Sequence, residues 1–115
     1  MTRTQSIVAP LVAAGLILSG AAVARAEEMP VHAVEMDGKV IRPAQLVVAA
    51  GKPFALALTN IASQAVEFEC ASLYKEKVLP ANAKAKLVFR KLSAGEYECF
   101  DDFNPDGGKL RLIAK

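Results

Sequence analysis

Two cysteines, four clustered carboxylates and a single histidine are the residues of this 115-residue chain whose chemistry could exceed structure. Glu67 and Glu69 flank Phe68 just ahead of Cys70, and Asp101 and Asp102 follow Cys99 within "GEYECFDDFNP". Cysteine thiolates would ligate copper, whereas a paired disulfide would staple the fold. Carboxylates in such density are hard oxygen donors, suited to Fe(III), Mn(II), Ca(II) or tetragonal Cu(II) rather than Cu(I). Without a cation they form an ordinary wet, acidic loop. His32, with Met29 and Met36, offers a softer accessory copper site near the start of the folded region.

Face parity sorts these candidates. Side chains alternate along a strand, so Val66, Phe68 and Cys70 share one face of "AVEFEC", and Glu67 and Glu69 the other. On "YECFDD", Tyr97, Cys99 and Asp101 share one face, and Glu98, Phe100 and Asp102 the other. Both cysteines fall on a core face, which favours a Cys70–Cys99 disulfide. The bridge would close a loop of about thirty residues, contributing roughly 3–4 kcal/mol in the chain-entropy model. If the two strands pair antiparallel with the cysteines opposed, Glu67 opposes Asp102 and Glu69 opposes Phe100. Like charges across a ladder repel, and a bound cation would relieve them.

The elements that must position these groups are strands. Short apolar or alternating runs, "AQLVVAAG", "FALALTN", "QAVEFEC", "AKLVFRKL", "GEYECF" and "KLRLIAK", are separated by turn residues. "HAVEMDGKVI" reads as a hairpin or bent strand around Asp37-Gly38. About seven strands predict an all-β sandwich or Greek-key barrel. The passage 71–80, "ASLYKEKVLP", breaks the pattern and predicts a helical turn ahead of Pro80. Lys75, Lys77, Lys84, Lys86, Arg90 and Lys91 form a basic run that reads as a solvated surface blunting an edge strand.

Residues 1–26 read as a secretory signal peptide: Arg3 supplies the positive start, Ile7 to Val23 the apolar stretch, and Ala24-Arg25-Ala26 an A-x-A cleavage site. Pro10, Gly15 and Gly20 interrupt the apolar run, which argues against a membrane anchor. Residues 27–115 then form one domain in an oxidising compartment. All 12 acidic residues and 12 of the 14 basic ones lie there, so the domain is formally neutral and carries no global charge for nucleic acid or an anionic membrane.

Several chemistries are excluded. A trigonal blue-copper centre needs two imidazoles and a thiolate, and the chain holds one histidine. It has no serine-histidine-aspartate set with a base to spare, no phosphate-cradling glycine loop and no CxxC.

Three motifs carry a resemblance: "RPAQLVVAAGKPFALALTN", "AVEFECASLYKEKV" and "AGEYECFDDFNPDGGKL". Together they resemble the cupredoxin-like proteins of bacterial iron-uptake operons, relatives of the N-terminal domain of the EfeO proteins. The resemblance spans nearly all of residues 27–115. It implies a cupredoxin-like Greek-key sandwich, a periplasmic location, and iron or copper ions as cofactors. It also implies a role in iron uptake beside an inner-membrane ferric permease and a companion periplasmic iron-binding protein, with ferrous iron oxidation as an open activity. A periplasmic copper protein or chaperone, and a metal-free adaptor domain, are the alternatives. The resemblance carries metal ligation onto Glu67 and Asp101, with Glu69 and Asp102 as neighbours. Where some relatives have a cysteine ahead of the motif's proline, this chain has Ile41, which removes that thiolate and leans the site toward oxygen donors.

Overall fold

A computed structural model describes Gly15 and residues 28–115. The segment read as a signal peptide, and the boundary at residue 27, lie outside the described residues, Gly15 aside. Among these residues no helix is long and apolar enough to cross a membrane.

Nine strands form among the described residues: β1 (Val31–Met36), β2 (Ile41–Arg42), β3 (Gln45–Val48), β4 (Phe54–Asn60), β5 (Val66–Cys70), β6 (Lys75–Leu79), β7 (Lys84–Phe89), β8 (Gly95–Asp101) and β9 (Leu110–Ala114). They assemble into two sheets, one ordered β2-β1-β4-β7 and one β3-β9-β8-β5-β6. The predicted all-β sandwich is the fold observed. Period-two patterning explains it: Val34 and Met36 on β1, Phe54, Leu56 and Leu58 on β4, Val66, Phe68 and Cys70 on β5, and Leu110, Leu112 and Ala114 on β9 all meet in one buried cluster. Each large apolar side chain so buried contributes roughly 1.5–3 kcal/mol.

The passage 71–80 is more ordered than the sequence suggested. A 3₁₀ turn over Ala71–Leu73 is present as expected, but Lys75–Leu79 is a full strand that pairs antiparallel with β5. Tyr74 makes the reversal by adopting a left-handed conformation, φ 54° and ψ 37°. Its N–H donates to the Ala71 carbonyl at 3.1 Å. A non-glycine residue with positive φ is uncommon, so neither composition nor periodicity announces this hairpin.

Buried polar groups tie the two sheets together. Asn60 is fully buried, and its Nδ2 donates to the carbonyls of Gln64, Leu79 and Pro80 while its Oδ1 accepts from Ala62 N. The turn between β8 and β9 docks on the β1–β2 turn: Gly108 N donates to Lys39 O at 2.7 Å, and Asn104 Nδ2 donates to Gly38 O. A Cβ on Gly107 would collide with Lys39 O, so this close approach requires glycine there.

Candidate metal centre

β5 and β8 lie side by side with Phe68 opposite Asp101 and Glu69 opposite Phe100, the register that the cysteine parity predicts. Cys70 and Cys99 are fully buried and joined, with Cα atoms 4.2 Å apart. The bridge therefore sits on the core side of the sheet. Glu67 and Glu69 stand half-buried on the opposite, solvent side of the same strand.

The hairpin adds a residue that the sequence reading did not select. β6 pairs with β5 so that Glu76 lies opposite Glu69 and Val78 opposite Glu67. One carboxylate oxygen each from Glu67, Glu69 and Glu76 fall within 4.8 Å of one another. Asp102 joins from the other flank, where its N–H donates to the Glu67 carbonyl at 2.9 Å. The alternation in "YKEKV" was the available signal for Glu76, but it becomes readable only once 75–79 is known to be a strand paired with β5.

Burial first, and then the charges of Asp102 and Glu76, push the Glu67 and Glu69 carboxyls above the ordinary glutamate range; Glu69 and Asp101 add to the effect at Glu67. The same sheet face treats its other acids differently. Glu98 pairs with Lys109 at 3.1 Å and Glu96 with Arg111 at 3.6 Å. No basic side chain among the described residues lies within ion-pair distance of Glu67, Glu69, Glu76 or Asp102. The face thus separates a neutralised half from an uncompensated acidic half.

Asp101 sits elsewhere. It occupies the core-facing side of β8 and is buried, and its Oδ1 accepts from Glu67 N at 2.9 Å and from Phe103 N at 3.0 Å. Those bonds fasten the start of β5 to the turn after β8. The structure therefore brings Glu67, Glu69, Glu76 and Asp102 to one face and gives Asp101 a backbone-holding position behind them.

The accessory set also separates. His32 and Met29 line one cleft with Phe54, Pro53 and Lys52, whereas Met36 is wholly buried in the core four residues along β1. With both cysteines in one disulfide and a single histidine at the far end of β1, these residues do not fit a blue-copper centre. The outer-face carboxylates can instead offer several hard oxygen donors to one cation.

The cupredoxin-like domain family matches residues 8–114. Among curated proteins none matches the chain. Several solved structures share its architecture. Reduced auracyanin from Roseiflexus castenholzii is 12% identical, with 74% of this chain and 96% of that one covered and a TM-score of 0.62. The metal-binding domain of the Cu(I)-exporting P-type ATPase CopA of Streptococcus pneumoniae D39, solved with Cu(I), is 11% identical over 74% and 84% of the two chains, TM-score 0.66. Auracyanin A, a "blue" copper protein from Chloroflexus aurantiacus, is 14% identical over 74% and 98%, TM-score 0.61. At these identities the likeness is one of fold.

Proposed function

Because the chain belongs to the cupredoxin-like domain family, we propose that it is a periplasmic metal-binding protein that assists bacterial iron uptake by holding an iron ion on the outer face of β5, β6 and β8. The observation that carries this reading is the convergence of Glu67, Glu69 and Glu76 within 4.8 Å, without a basic partner among the described residues, on a face whose other strand acids, Glu96 and Glu98, are paired. Oxygen donors of this density suit Fe(III). The resemblance of "AVEFE" and "FDDFNP" to the proteins of iron-uptake operons supplies the biological direction. On that reading the protein hands iron to a ferric permease, with a companion periplasmic iron-binding protein as its second partner.

Glu67, Glu69, Glu76 and Asp102 would hold the ion directly. Asp101 would act through the backbone, fixing where Glu67 leaves the strand. A bound ferric ion is a strong local positive charge that offsets the mutual repulsion of the carboxylates. Oxygen ligation of this kind would favour the harder, ferric state of a bound ion over the ferrous one.

The second reading, a periplasmic copper protein, is favoured by the copper named for the neighbours of the same fold. Anaerobic titration of the exported protein with Fe(II), Fe(III), Cu(I) and Cu(II) separates the two. Iron bound by the wild type and lost in Glu67→Gln and Glu69→Gln supports the iron reading. Copper bound at those carboxylates with no measurable iron binding supports the other. A protein that takes up neither metal is the metal-free adaptor.

A further inference from the structure

The cleft at the opposite end of β1 has a different chemistry. It is about 510 Å³ in volume and is lined by Met29, His32, Pro53 and Phe54 together with Glu28 and Lys52. His32 lies on the core-facing side of β1 but beyond the sealed core, half-buried. Its ring packs edge-on against Phe54, centroids 6.2 Å apart, and Phe54 in turn stacks on Phe89 at 4.8 Å. The lead-in that bears Met29 is held in place, because Ala55 N donates to the Pro30 carbonyl at 2.9 Å. The thioether and the imidazole therefore enter one apolar cleft from a fixed backbone.

We propose that Met29 and His32 form a Cu(I) site in this cleft, separate from the carboxylate cluster. Thioether sulfur selects Cu(I), and imidazole suits copper in general. A low-coordinate monovalent ion is satisfied by few donors, and Phe54 and Pro53 give the cleft an apolar wall that offers none of the additional hard donors Cu(II) would demand. Charge points the same way: the lining holds one acid, Glu28, and one base, Lys52, so it carries no formal surplus of negative charge to favour a divalent cation. Met36, buried in the core, takes no part. The β1 strand keeps the two sites apart, since its Met36 end leads into the turn that meets the β8–β9 loop, whereas His32 lies near its start.

The test is anaerobic titration of the exported protein with Cu(I) against a chromogenic Cu(I) chelator, with NMR of the histidine ring and methionine methyls. One equivalent should bind, shifting the signals of His32 and Met29 but not Met36. His32→Ala and Met29→Leu should each weaken binding by about tenfold or more, while Glu67→Gln leaves it unchanged. Failure to withdraw Cu(I) from the chelator, equal binding by the His32 and Met29 variants, or loss of binding in Glu67→Gln would each overturn the proposal. Circular dichroism of the variants, expected to match the wild type because both residues lie outside the sealed core, guards against loss by unfolding.

Discussion

Glu69 and Glu76 face one another directly across the β5–β6 ladder on the solvent side of the sheet, with Glu67 close enough for the three carboxylates to share one ion. This pairing is unfavourable in the metal-free protein. The Glu67 and Glu69 carboxyls are raised in the folded state, so the folded chain holds protons there more tightly than the unfolded chain.

The sign of the pH dependence follows. Stability contributed by these groups is present at low pH and is lost as pH rises from the ordinary glutamate value of 4.5 through the raised folded value. Glu69→Gln removes that loss. Its melting temperature should exceed that of the wild type by about 1–4 °C at neutral pH, with the advantage vanishing in acid. Thermal unfolding of both proteins between pH 3 and pH 8, metal-free, checks this over a window chosen to bracket that rise. An equal advantage at every pH would mean that repulsion between these carboxylates is not the cause.

Asp101 and Asp102 should respond in opposite ways. Asp101→Ala leaves the N–H groups of Glu67 and Phe103 without their acceptor, which should cost about 1–3 kcal/mol in chemical denaturation. Asp101→Asn keeps an oxygen acceptor and should restore most of that loss. Asp102→Asn should leave the metal-free fold as stable as before and weaken cation binding. If Asp101→Asn keeps full stability yet loses metal as completely as Glu67→Gln, Asp101 is a ligand and must turn outward on binding.

The Cys70–Cys99 bridge spans 29 residues of sequence. Its removal in the Cys70→Ser, Cys99→Ser double variant should lower stability by roughly 3–4 kcal/mol in the chain-entropy model. The native protein should show no reactive thiol until it is denatured and reduced. Rapid titration of thiols in the native, unreduced protein would contradict the buried bridge.

Copper(II) added to the native protein should not produce the intense thiolate absorption of a blue-copper centre, because no thiolate remains to donate and only one imidazole exists. Electron paramagnetic resonance should report tetragonal oxygen or nitrogen ligation. An intense blue band would require the bridge to open and a thiolate to bind.

For the strands other than β6, identity and facing were largely written in the sequence. Alternation in "AVEFEC" and "GEYECF" places both cysteines inward and Glu67, Glu69 and Asp102 outward, because successive side chains on a strand must point to opposite faces. Once the cysteines are opposed, the β5–β8 register follows and sets Glu67 beside Asp102. The same parity already held Asp101 on the core face, although the resemblance assigned it a ligand's place. Tertiary structure decided the rest. Glu76 enters the cluster only because Tyr74 takes a left-handed conformation that folds β6 back on β5. Met36 leaves the soft-donor set because β1 pairs in parallel with β4 and seals its far end in the core, leaving His32 at the open end. Period two fixes which way a side chain points within its strand; which strands become neighbours depends on packing two whole sheets around one core, and that choice assembles a site from residues far apart in the chain.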